Sequence, residues 1–154
     1  MELYFFRHGD AESAAGTDAA RKLTERGRRE SRAVAQALHR AGVRLEAILT
    51  SPLTRARQTG EILEEVFGVR AEVEERLGSG CRIGAIQDVV AERARGQVLF
   101  VGHEPDMSRI VGEFVGSARV RMSKSGCARV SCERAEPGAG MLIWLVSPEF
   151  VPPE

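Results

Sequence analysis

Leu3-Tyr4-Phe5-Phe6-Arg7-His8-Gly9 opens the chain with an unbroken apolar run that ends on an arginine, a histidine and a glycine. Apolar residues without alternation are the pattern of a strand buried on both faces, and such strands belong to sheets covered by helices on each side. The pattern recurs in Ala47-Ile48-Leu49, broken at once by Thr50-Ser51-Pro52, and in Val98-Leu99-Phe100-Val101, halted by Gly102-His103-Glu104-Pro105. Residues 69–73 read as a weaker strand.

Helical spacing fills the intervals. Val34, Ala37, Leu38 and Ala41 share one face, with Thr24 placed to cap the start and Gly42 to end it. Ala56, Thr59, Ile62, Leu63, Val66 and Phe67 predict a second helix with Pro52 in its first turn and Gly68 as its stop. Ile83, Ile86, Val89 and Val90 predict a third, ending near Gly96, and Met107, Ile110, Val111, Phe114 and Val115 a fourth. Beyond Gly116, residues 128–130 and 141–146 read as strands joined by a turn-rich 136–140.

Strands alternating with helices predict an α/β fold: a three-layer α/β/α sandwich with a mostly parallel sheet and a C-terminal antiparallel hairpin. A chain of 154 residues needs one core, so residues 1–150 are expected to form a single domain with a frayed tail at 151–154. With 29% charged and 43% hydrophobic residues, the composition excludes a disordered chain. Lys+Arg and Asp+Glu both number 22, so no net charge steers the protein towards nucleic acid or an anionic membrane. Any anion site must be local, and all the basic residues except Lys22 and Lys124 are arginines, whose planar fork suits phosphate.

Cys81, Cys127 and Cys132 form no CxxC or Cys/His cluster, which argues against zinc and for a reducing, cytoplasmic setting. No apolar run is long enough for a signal peptide or a membrane span.

In an open parallel sheet, ligands bind beyond the carboxyl ends of the strands. That places Arg7-His8-Gly9, the segment from Thr50 through Arg55 to Ala56, and Gly102-His103-Glu104-Pro105 around one crevice. Imidazoles from His8 and His103 beside guanidinium groups from Arg7 and Arg55 suggest a phosphate pocket more than a metal site.

Arg7-His8-Gly9 at the end of an N-terminal strand, Ser51-Pro52-Leu53-Thr54-Arg55-Ala56-Arg57-Gln58-Thr59, and Gly102-His103-Glu104-Pro105 together resemble the histidine phosphatase superfamily, in its phosphoglycerate-mutase-like branch. The small size, Arg7-His8-Gly9-Asp10-Ala11 and the Arg21-Lys22-Leu23-Thr24-Glu25-Arg26-Gly27 segment look most like the SixA-type phosphohistidine phosphatases. The resemblance implies the phosphoglycerate-mutase-like fold and a metal-independent phosphoric hydrolase without cofactor. It implies that His8 attacks phosphorus to form a covalent phosphohistidine, with Arg7, Arg55 and His103 holding the non-bridging oxygens. Arg21 aligns with a further phosphate-binding arginine. Glu75 is the candidate general acid, which an ester leaving group needs and a weak P–N bond does not.

The expected substrate is a histidine-phosphorylated protein. The alternatives are a small phosphate monoester and, from another class, non-catalytic phosphate binding. A nucleic-acid or membrane partner is not expected, and the expected state is a monomer or weak dimer. Asp10 and Glu104 are expected to form supporting salt bridges, Arg57 and His39 to lie on the surface, and the cysteines to serve packing.

Overall fold

A computed structural model of the protein describes residues 1–13, 16–93 and 96–152. Its centre is the parallel pair β1 (Glu2–Arg7) and β4 (Gln97–Gly102), in register from Glu2 opposite Gln97 to Arg7 opposite Gly102. Successive side chains of a strand point to opposite faces, and here both faces are core. Leu3 and Phe5 join Val98 and Phe100 on one side, while Tyr4 and Phe6 join Leu99 and Val101 on the other.

Two further parallel strands, β2 (Ala47–Thr50) and β3 (Ala71–Val73), lie beyond β4. On the far side of β1 the chain returns antiparallel as β5 (Cys127–Cys132) and β6 (Gly140–Val146), which gives the sheet order β3-β2-β4-β1-β5-β6. Four helices cover the two faces: α1 (Glu25–Arg40), α2 (Thr54–Phe67), α3 (Ile83–Arg93) and α4 (Asp106–Phe114). Val34, Ala35 and Leu38 of α1 meet Ala56 and Leu63 of α2 against Tyr4 and Phe6. Ile86 and Val89 of α3 meet Met107, Ile110 and Phe114 of α4 against Phe5 and Phe100. The expected three layers and C-terminal hairpin are therefore present.

Local capping agrees with the sequence at three points and departs at one. Thr24 accepts the Gly27 N–H at 3.0 Å and starts α1, whose last helical residue precedes Gly42 by two, and Gly68 ends α2 in the left-handed conformation. Pro52, however, lies outside α2, which starts at Thr54. The Ser51 hydroxyl accepts the Leu53 N–H at 3.2 Å and fixes the turn instead.

Pro148–Phe150 forms a 3-10 turn, and Val151 packs against the α1 side of the core, so the chain stays on the body through that residue. The remainder of the expected frayed end, 153–154, lies outside the described residues.

Candidate active site

The ends of β1, β2 and β4 converge because the ladder continues one residue past the strands: His8 N–H donates to Gly102 O at 3.1 Å and Ser51 N–H to Val101 O at 3.0 Å. His8 and His103 thereby face each other with ring centroids 5.1 Å apart. His8 Nδ1 lies 2.7 Å from the carbonyl oxygen of Gly9. A carbonyl only accepts, so the proton sits on Nδ1 and the lone pair on Nε2. Arg55 confirms the assignment from the other side, donating its Nε–H to His8 Nε2 at 3.3 Å. Burial pushes His8 down to about 3; the bond to Gly9 opposes this, and the charges of His103, Arg55 and Arg7 reinforce it. The imidazole is neutral at neutral pH, with an unprotonated Nε2 as its nucleophilic nitrogen, whose lone pair accepts from Arg55.

His103 Nε2 lies 2.6 Å from Ser51 Oγ, and that oxygen already accepts the Leu53 N–H. In the tautomer in which that hydroxyl donates to Nε2, Nδ1–H is left as a donor. Nδ1 is buried and has no partner among the described residues. Burial pushes His103 down to about 4, with Arg55 adding to the effect. A neutral ring with one unused N–H is equipped to donate to an oxyanion.

Arg7 donates Nη1–H to Met122 O at 2.9 Å, while its Nε is buried without a partner among the described residues. Burial lowers its pKa, Glu104 opposes the shift, and Arg121 adds to it. Arg55, buried at the start of α2, donates Nη1–H to Asp18 O at 2.9 Å and pairs with the Asp18 carboxylate at 3.3 Å. Arg21 reaches the same carboxylate, 3.0 Å from its other oxygen. Asp18 thus bridges Arg55 and Arg21, and Arg55 foremost holds its carboxyl below the ordinary range.

Asp18 was invisible to sequence reasoning: nothing local distinguishes it, and only the fold-back of the loop before α1 brings it to an arginine on α2. Ser51 and Thr59 were missed as well. Thr59 accepts the Gly9 N–H at 3.1 Å and donates to Arg55 O at 2.8 Å, tying the nucleophile loop to α2. The only signal was their place inside the Ser51–Thr59 motif.

Two glycines let that loop close. A Cβ on Gly9 would come within 2.7 Å of Ser31 Oγ and 2.8 Å of Gly27 O, and one on Gly27 within 2.1 Å of Asp10 O. Behind them, Ser125 N–H donates to Arg7 O at 3.1 Å, and the Ser31 and Ser125 hydroxyls meet at 2.9 Å.

The structure gathers His8, His103, Arg7 and Arg55, with Arg21 joined through Asp18. Among the described residues, no hydrogen bond or ion pair joins Glu75 to them. Glu75 is exposed at the start of the 3-10 turn Glu75–Leu77 and lines a different cleft with Gly78, Cys81 and Arg82. Asp10 pairs with Lys124 at 2.8 Å and accepts from Thr24, and Glu104 accepts from Ser108 at the start of α4, so both carboxylates support the loops. Arg57 and His39 are exposed. All three cysteines are free and buried, and burial pushes Cys81 to about 11 and Cys127 higher still, which suits packing and opposes reactivity. Among the described residues, no group of three or more His, Cys, Asp or Glu could hold a metal ion, and no helix is long and apolar enough to cross a membrane.

A family model described as histidine phosphatase superfamily (branch 1) matches residues 3–79. Phosphohistidine phosphatase SixA of Escherichia coli is 32% identical over 154 residues, 96% of this chain and 94% of its own length. An uncharacterised protein of Picosynechococcus is 41% identical over 113 residues, 70% of this chain and 68% of its own length. Among solved structures, the protein histidine phosphatase SixA complexed with tungstate superposes with a TM-score of 0.87 at 30% identity, covering 96% of this chain and 97% of that one.

Proposed function

The chain belongs to the histidine phosphatase superfamily (branch 1), and from that premise we propose that it removes phosphate from histidine side chains of phosphorylated proteins. It is a hydrolase that acts as a phosphatase. The observation that carries the reading is the fixed tautomer of His8: a buried neutral ring whose unprotonated Nε2 accepts from Arg55 and lies opposite His103.

His8 Nε2 attacks phosphorus, the P–N bond to the substrate imidazole breaks, and that imidazole takes a proton from water, leaving hydroxide. A second water then attacks the phosphorus on His8, the P–N bond to His8 breaks, hydrogen phosphate leaves, and the proton that this water gives up neutralises the hydroxide. Arg7, Arg55 and the Nδ1–H of His103 hold the three equatorial oxygens, where charge sits through the transition state. Arg21 is a second-rank contact, brought near through Asp18. Among the described residues, the carboxylate nearest the arginines, Asp18, is held ionised by Arg55, and Glu75 lines another cleft, so neither stands ready as proton donor. Esters need such a donor and phosphoramidates do not, so the arrangement favours phosphohistidine. The free, buried cysteines support a reducing cytoplasm as the place of action.

Phosphate release from a histidine-phosphorylated phosphotransfer domain, with a phosphate monoester run in parallel, tests the reading. Preference for the phosphohistidine, abolished in His8→Ala, is the expected result. Appreciable turnover by His8→Ala would reject the nucleophile, and activity confined to the ester would reject the substrate class.

A further inference from the structure

A polar cleft of about 580 Å³ opens beside the site and shares Arg7 with it. Its other cations are Arg26, Arg121 and Lys124, and its anions are Asp10, Glu30 and Glu149. Two of the cations are already neutralised, Lys124 by Asp10 at 2.8 Å and Arg26 by Glu30 at 3.4 Å. Arg121 is different: among the described residues it pairs with no carboxylate, and its repulsion of Arg7 is weaker than the attraction Arg7 receives from Glu104. Two guanidinium groups lining one cleft, one of them unpaired, leave a positive potential that an added anion would lower.

We propose that this cleft is a second anion subsite, in which Arg121 receives a carboxylate that the substrate carries next to its transferable phosphoryl group. On a phosphoprotein that carboxylate is an Asp or Glu side chain close to the phosphohistidine. One unpaired guanidinium matches one monoanion, and Glu149 in the same cleft disfavours further negative charge. Arg7 is the hinge of the arrangement, with the phosphoryl oxygens on one side of it and the substrate carboxylate on the other. The identity of the carboxylate's owner rests on the phosphohistidine reading above; the subsite itself does not.

The test uses the full chain and non-hydrolysable probes: titration calorimetry with methylphosphonate and with phosphonocarboxylates of graded spacer length, on the wild type and on Arg121→Gln. Arg121 is exposed, so the variant is expected to fold normally. At least one phosphonocarboxylate should bind roughly three- to tenfold tighter than methylphosphonate, as a charge-assisted bond in an open cleft allows. That preference should vanish in Arg121→Gln while methylphosphonate binding stays unchanged. The subsite is overturned if no spacer length binds tighter, if the preference survives in Arg121→Gln, or if both probes weaken together. Phosphohistidine peptides flanked by Glu or by Gln are assayed beside these. A phosphonate preference with no turnover of either peptide sinks the phosphohistidine reading and keeps the subsite. Turnover of both peptides with no dependence on Arg121 does the reverse.

Discussion

Lowering the pH from 7 to 5 should destabilise this protein mainly through its own site. His8 and His103 are held neutral by burial, at about 3 and about 4 against an ordinary 6.5. Each ring in the unfolded chain takes up a proton as pH falls through 6.5, whereas the native rings do not until about 4 and about 3. Stability is therefore complete above 6.5 and falls through the window below it. One pH unit in that window is worth about 1.4 kcal/mol per ring, so at pH 5 each has removed about 2 kcal/mol and the pair about 4 kcal/mol. Against a typical stability of about 5–15 kcal/mol this is a large fraction. Urea unfolding at both pH values, on the wild type and on the His8→Gln/His103→Gln double variant, isolates the effect. The difference between the two pH values cancels whatever the substitutions do to packing. The wild type should lose about 4 kcal/mol more than the double variant. Equal losses would refute the claim that the rings are held neutral by burial, and with it the account of how His8 stays nucleophilic.

Three other substitutions probe the neighbourhood. Glu75→Gln should leave turnover of a phosphohistidine protein within about twofold of wild type, and a loss beyond tenfold would return a proton-donor role to Glu75. Asp18→Asn should lower the inhibition constants of orthophosphate and vanadate, since it removes a carboxylate that competes for Arg55 and Arg21; weaker inhibition would mean that Asp18 positions those arginines. Gly27→Ala should reduce stability by about 1–3 kcal/mol by thermal unfolding and lower activity with it, because the added Cβ meets backbone of Asp10 at 2.1 Å. An unchanged melting temperature would contradict the close packing of α1 on the nucleophile loop.

Much of the layered architecture was legible because the buried strands are short and continuous. Leu3 to Phe6 and Val98 to Val101 specify a sheet covered on both faces, and the rule that ligands gather at strand ends puts both histidines in one crevice. What escaped detection depends on contacts between distant parts of the chain. Pro52 looked like a first-turn residue because proline is favoured there, yet the Ser51 hydroxyl captures the Leu53 N–H and moves the start of α2 on. Asp18 and Ser51 act through hydrogen bonds to Arg55 and His103, partners that no local periodicity can reveal. Glu75 was placed by its position after the third strand, but the 3-10 turn that follows Glu74 directs it towards the cleft near Cys81.

The carbonyl that fixes the proton on His8 belongs to the very next residue, Gly9. The choice of attacking nitrogen is thus written into two adjacent positions and backed from the other side by Arg55. A device so compact is portable with its few supports. Recognition surfaces and outer loop lengths can be exchanged in a redesign while the nucleophile keeps its orientation, provided Arg55, Thr59 and the room around the glycine are kept. An engineer wishing to redirect this scaffold to another phosphorylated target should leave that dipeptide alone and rebuild the walls.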